Sequence, residues 1–315
     1  MYYIGVDLGG TNIAIGIVNE KGELLIKDSV PTNANREADD IIRDMAALCL
    51  RLIDAKGLSV GDIEYAGIAT PGTADHDNGV VVYANNLPFL NYPLAAKLSE
   101  FTGIKKVLIE NDANAAAKGE AACGAAKGFN SSVMITLGTG LGGGIIIDGK
   151  VYSGFNYAGG ELGHMVIEVN GLPCSCGRKG CWEAYSSATG LINMTKVKLE
   201  ETKDTVMHER VAKDGKVSGR TAFDCMRLGD KAAKEVVDKY IYYLAMGVTN
   251  IINIFQPEVL VIGGGICNEK NYLTDPLVKI VETEQYTRNS KNKTQIRIAE
   301  LGNDAGIIGA AMLGF

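Results

Sequence analysis

Three of the seven cysteines, Cys174, Cys176 and Cys181, fall within eight residues, and His164 precedes them. Three thiolates and one imidazole are the donor set of a closed, structural zinc site. The C-x-C-x4-C spacing, punctuated by Gly177 and Gly180, fits one small knuckle. Reduced buried thiols are the alternative, and they suit the scattered Cys49, Cys123, Cys225 and Cys267. A clustered exposed trio would be open to oxidation, so the cluster is read as a metal site. Glu161 and Glu183 flank it on either side. Each could be a solvated surface acid, or a carboxylate that accepts sugar hydroxyls on its free lone pairs.

A second chemistry lies in the glycine turns Gly9-Gly10-Thr11, Gly138-Thr139-Gly140 and Gly263-Gly264-Gly265. Backbone N–H groups with no side chain in the way can wrap phosphate oxygens, and a threonine hydroxyl adds a donor. One such stretch is an ordinary tight turn; three at strand ends point to a nucleotide. Asp7, just before the first, would complement Mg²⁺ carried by that nucleotide. Gly138–Gly143 also satisfies G-x-G-x-x-G, but a dinucleotide fingerprint needs a helix next. Gly144, three isoleucines and Asp148-Gly149 follow instead, a strand and hairpin, so the Rossmann reading is excluded. Asn111-Asp112 opens an alanine-rich stretch. Asp112 is either an N-cap or a general base that takes a hydroxyl proton during phosphoryl transfer.

The elements that must position these residues follow from pattern. Strands are predicted over Tyr2–Val6, Ile13–Val18 and Glu23–Lys27, as a meander, then over Tyr65–Ala69, Val107–Glu110, Val133–Leu137, Ile145–Ile147 and Val259–Ile262. Gly138–Gly144 is read as a single turn. Helices are predicted over Ala38–Ala55, from Asp112 through the alanines, from Lys231 to about Phe255, and over Ala305–Leu313. The polar segment Ile192–Arg227 has only a helical tendency. Strand, glycine turn, strand occurs at Gly9 and again 129 residues later at Gly138, a weak repeat of two α/β halves.

Composition sets the bounds. The chain has 315 residues, 46% hydrophobic and 22% charged, enough for a sizeable core. Glycine numbers 39, about 12% against a usual 7% or so, while proline numbers only 7. The excess therefore punctuates an ordered fold rather than a disordered one. A net charge of −6 argues against nucleic acid. No apolar run approaches the roughly 20 residues that span a bilayer. The opening Met1–Asp7 lacks the basic and apolar regions of a signal peptide. Irregular cysteine spacing in such a chain suits a reducing cytoplasm.

With these residues in view, the chain resembles the ROK family of bacterial sugar kinases, within the actin/hexokinase/Hsp70 superfamily, over nearly its whole length. Asp7–Thr11 is similar to the first phosphate motif, Thr136–Gly144 to the second and Val261–Ile266 to the adenosine motif. Glu110–Ala115 is similar to the catalytic segment. Glu161-x-Gly163-His164 with Cys174-x-Cys176-Gly177-x-x-Gly180-Cys181-x-Glu183 is similar to the zinc and sugar segment, the most specific of the motifs.

The resemblance, strongest to the family's glucokinases, implies an α/β fold of two actin/hexokinase-like (ribonuclease H-like) domains with a central cleft that closes over substrate. Residues 1–112 plus about 300–315 would form the small domain and 113–299 the large one. It implies an ATP-dependent glucose 6-kinase with Mg-ATP and structural zinc. Asp112 would be the base. Gly72, Asn86, Asn111, Asp112, Glu161, His164 and Glu183 would contact the sugar, with His164 also binding zinc beside Cys174, Cys176 and Cys181. Asp7, Gly9, Gly10, Thr11, Asn12, Gly138, Thr139, Gly140, Gly263, Gly264 and Gly265 would hold ATP.

A cytoplasmic homodimer or homotetramer in glycolysis, with no nucleic acid or membrane partner, is the expectation. N-acetylmannosamine kinase, fructokinase and allose kinase are the alternatives within the class. The family's repressors would need a helix-turn-helix before the first strand, for which Tyr2 leaves no room. An actin-like or chaperone ATPase would share the phosphate turns without the knuckle and its paired glutamates.

Overall fold

A computed structural model describes all residues 1–315. The chain opens with the meander β1 (Tyr2–Leu8), β2 (Asn12–Asn19) and β3 (Leu24–Pro31), followed by α1 (Ala38–Ala55) and β4 (Ile63–Thr70). A small sheet of β5 (Thr73–Asp75), β6 (Val80–Tyr83) and β7 (Leu90–Tyr92) precedes α2 (Leu94–Thr102), β8 (Val107–Asn111) and α3 (Asp112–Cys123). The first large sheet runs β3-β2-β1-β4-β8, with β1, β4 and β8 parallel.

Further along come β9 (Ser132–Leu137), β10 (Leu141–Ile147) and β11 (Lys150–Val151), then α4 (Glu183–Ser186), α5 (Ala188–Glu201), α6 (Met207–Asp214), α7 (Thr221–Arg227) and α8 (Lys231–Phe255). The chain closes with β12 (Val259–Gly263), α9 (Asn271–Glu284), β13 (Gln295–Ile298) and α10 (Ala305–Ala311). The second large sheet runs β11-β10-β9-β12-β13. Each large sheet thus reads third, second, first, fourth, fifth along its own strands, so the repeat seen in the glycine turns extends to topology. The turn itself is shorter than the sequence suggests. Only Gly138–Gly140 bend, and Gly142–Gly144 are extended within β10.

One compact unit comprises Met1–Met134, Gly144–Gly160 and Ala299–Phe315. It runs past Asp112, because α3 and α10 pack together on the sheet. Ala69, Ala115 and Ala310 form one buried cluster, and a Cβ at Gly309 would lie 1.8 Å from the Ala115 carbonyl oxygen. The core on the other face joins Ile4, Val6, Ile13 and Ile15 to Ile41, Met45, Leu48 and Leu52 of α1.

The other unit comprises Ile135–Gly143 and Glu161–Ile298. The long amphipathic helix α8 is its spine, burying Tyr240, Ile241, Leu244 and Val248. The segment left unassigned from sequence becomes α5, α6 and α7.

Candidate functional site

In the first unit the candidates gather at the carboxyl ends of parallel strands, where α/β sheets hold ligands. Asp7 is the last residue but one of β1, Gly72 follows β4, and Asn111-Asp112 ends β8 and opens α3. The β1–β2 turn is closed by Gly9 N–H donating to Asn12 C=O at 2.9 Å and by Thr32 Oγ1 donating to Gly9 C=O at 2.6 Å. Gly10 and Thr11 themselves are exposed. Gly10 lies against Asn86, since a Cβ there would sit 3.4 Å from Asn86 Cβ. Gly72 has φ +88° and no room for a side chain, with the Tyr83 carbonyl oxygen 2.0 Å from a built Cβ.

The helix cap belongs to Asn111, not to Asp112. Asn111 Oδ1 accepts the N–H groups of Ala113 and Asn114 at 2.9 and 3.3 Å, while its Nδ2 donates to Gly72 C=O at 3.0 Å. Asp112 is exposed in the first helical turn, its Oδ1 accepting the Ala113 N–H at 2.8 Å. Burial, and secondarily the charge of Asp112, raise the Asp7 carboxyl to about 6.

Sequence reading assigned nothing to Glu110, yet it is nearly buried behind this junction. It accepts Asn111 N–H at 2.9 Å and Asn114 Nδ2 at 3.1 Å, and its Oε2 lies 3.3 Å from His76 Nδ1. Its place immediately before Asn111 in the catalytic-type segment was the available signal.

In the second unit the four metal candidates converge, with the ligand atoms of His164, Cys174, Cys176 and Cys181 all within 4.8 Å of one another. Cys174 Sγ is 3.6 Å from His164 Nδ1, and Cys176 Sγ is 3.7 Å from Cys181 Sγ. A tetrahedral zinc site with Zn–S of about 2.3 Å and Zn–N of about 2.0–2.1 Å separates two sulfurs by about 3.8 Å and sulfur from nitrogen by about 3.5 Å. The donor set suits zinc, and these two separations match such a site. Burial pushes the Cys181 thiol up to about 12, and its neighbours Cys176 and Cys174 add to the rise.

Glu161 is exposed just before His164, and its carbonyl accepts the His164 N–H at 3.1 Å. Glu183 follows the last cysteine by two residues and reaches the glycine turn, its Oε2 accepting the Leu141 N–H at 2.9 Å. The turn is held by Ala188 N–H on Gly138 C=O at 2.8 Å and by Thr189 Oγ1 on Thr139 C=O at 2.7 Å. Gly264, with φ +94°, lies against the Leu137 carbonyl, so the third glycine stretch abuts the end of β9. The first unit offers a glycine turn for phosphate and an exposed carboxylate for proton transfer; the second, taken by itself, offers its own glycine turn, with carboxylates and an imidazole for hydroxyl groups.

The sequence profile of the ROK family matches residues 3–314. A glucokinase of Thermotoga maritima is 38% identical over 313 residues, which cover 98% of this chain and 96% of that protein. A glucokinase of Halalkalibacterium halodurans is 36% identical, with 99% and 94% covered. A crystal structure of a ROK family glucokinase from Streptomyces griseus in complex with glucose and AMPPNP is 33% identical, with a TM-score of 0.81 and 99% of both chains covered.

Proposed function

The chain belongs to the ROK family, and from that membership we propose that it is an ATP-dependent hexose kinase that phosphorylates glucose on its 6-hydroxyl. The observation that carries the reading is the Cys₃His cluster with Glu183 joined to the adjoining glycine turn. Phosphate-type turns alone would suit many ATPases, whereas acceptors for sugar hydroxyls on a metal-stiffened loop suit a sugar kinase.

Asp112 takes the proton of the 6-hydroxyl as that oxygen attacks the γ-phosphorus, and the P–O bond to ADP breaks. Asp112 is exposed in the first turn of α3, and Asn111 rather than Asp112 serves as the N-cap. The amides of Gly10 and Thr11, with Gly138–Gly140, donate to phosphate oxygens, and Asp7 faces the Mg²⁺ that ATP carries. Gly9, Asn12 and Gly263–Gly265 complete the nucleotide contacts. Glu161 and Glu183 accept sugar hydroxyls, and Gly72, Asn86 and Asn111 are further sugar contacts. His164 turns Nδ1 toward Cys174, which leaves Nε2 for a sugar hydroxyl. Zinc held by His164, Cys174, Cys176 and Cys181 would supply a structural cross-link, because a four-ligand site leaves no open position.

The same reading takes the protein to be a cytoplasmic homodimer or homotetramer feeding glycolysis. No helix is long and apolar enough to cross a membrane. A panel of glucose, N-acetylmannosamine, fructose and allose with coupled ADP detection tests the assignment. Glucose should lead by a wide margin, and a lead by N-acetylmannosamine would move the chain to the other branch of the family.

A further inference from the structure

We infer that Ser175 is a positioning residue for hexose recognition, acting through Glu183; the inference rests on the kinase reading above. The Glu183 carboxylate is gripped at both oxygens. Its Oε1 accepts the Ser175 hydroxyl at 3.2 Å, with Cys174 Sγ 3.7 Å from the same oxygen. Its Oε2 accepts the Leu141 N–H at 2.9 Å, and a Cβ at Gly140 would lie 2.4 Å from that oxygen.

A carboxylate oxygen has two lone pairs, so each can still accept a hydroxyl while held by its protein donor. Fixing both oxygens beforehand spares the ordering of a flexible glutamate when the hexose binds. The knuckle supplies one grip and the glycine turn the other. Ser175 is the exposed residue between two metal ligands, and its hydroxyl has one further neighbour, Cys174 Sγ at 4.0 Å. The fold therefore does not need that hydroxyl, while the orientation of Glu183 does.

The test compares wild type, Ser175→Ala, Ser175→Thr and Gly140→Ala. It measures glucose binding by calorimetry, KM for glucose and for ATP, zinc content and melting temperature. Ser175→Ala should weaken glucose binding and raise its KM about ten-fold, the size of losing one hydrogen bond to a charged group. Its KM for ATP, zinc content and melting temperature should stay at wild-type values, and Ser175→Thr should restore glucose affinity. Gly140→Ala should raise both KM values, because its Cβ displaces Glu183 Oε2 from within the phosphate turn. Wild-type glucose affinity in Ser175→Ala overturns the inference. So does a parallel rise of both KM values with zinc loss, which would make Ser175 merely structural. A Gly140→Ala protein with unchanged glucose affinity refutes the link through Glu183. A wild-type chain that neither binds nor phosphorylates a hexose defeats the kinase reading itself, a result distinct from any of these.

Discussion

The indole of Trp182 lies directly on Gly247 of α8, so close that a Cβ there would sit 2.0 Å from Cε2. Trp182 is fully buried and donates its N–H to the Tyr243 carbonyl at 3.0 Å. It stands between Cys181 and Glu183, so through one ring α8 holds the segment that carries a proposed metal ligand and a proposed hexose-binding acid. Glycine to alanine within a helix ordinarily gains ~1 kcal/mol. Crowding a packed ring costs ~1–3 kcal/mol, and here the ring is pinned by its own hydrogen bond. Gly247→Ala is therefore expected to lower stability, weaken zinc retention and shift tryptophan emission to the red. Trp182 is the only tryptophan, so emission reads this contact alone. An unchanged spectrum with wild-type melting would contradict it.

Asp7 imposes a cost on the fold that its proposed role explains. Burial first, and Asp112 second, raise its carboxyl from 3.8 to about 6. The folded state thus holds the Asp7 proton more tightly than the unfolded chain does. This group's contribution is fully present below about 3.8 and is lost as pH rises through about 6. Asp7→Asn should be more stable than wild type at pH 8, by at most about 3 kcal/mol. The gap should narrow toward pH 5, while ATP-dependent turnover falls. Urea unfolding across that range decides it, and a gap independent of pH would count against the account.

Removal of zinc should act on the knuckle before the rest of the fold. Residues 165–181 form no helix or long strand, only the isolated bridges Val166–Cys181 and Pro173–Lys179. Stripping the metal with a chelator, or replacing Cys176 by serine, should lower the melting temperature and raise the KM for glucose more than that for ATP. A zinc-free preparation with full activity and unchanged melting would refute a metal role.

Much of this was legible in the residues. The helices at Ala38–Ala55 and Lys231–Phe255 appear where their apolar periodicity put them, because long amphipathic patterns outweigh local ambiguity. The short strands β5, β6 and β7 escaped, being too brief to show a period. Helix α9 contains Pro276, which reads as a breaker. The glycines read as phosphate turns, the Gly72 loop and the metal knuckle do not account for Gly5 and Gly67, which lie mid-strand. A Cβ at either would come within 2 Å of a carbonyl oxygen of α10, so they let that helix lie flat on the sheet. The grip of Leu141 on Glu183 joins residues 42 apart, and no local pattern carries such a contact.

Asp112 and Asn111 are neighbours whose substitutions should separate chemistry from stability. Asn111 caps α3 through two amides and ties it to Gly72, so Asn111→Ala should cost about 1 kcal/mol in cap energy alone. Asp112 lies one residue inside the helix, exposed, where an amide of the same shape can still accept the Ala113 N–H. Asp112→Asn should therefore melt close to wild type and bind glucose normally. It cannot take the 6-hydroxyl proton, and general-base catalysis is worth about 10²–10⁴-fold, so kcat should fall by at least that range. Losing the Asp112 charge should also lower the Asp7 carboxyl somewhat, since that charge is the lesser of its two causes. Calorimetry for glucose, coupled ADP release for turnover and thermal melting distinguish the cases. Near-normal turnover in Asp112→Asn would remove it as the base, whereas lost glucose binding would reassign it to holding the sugar.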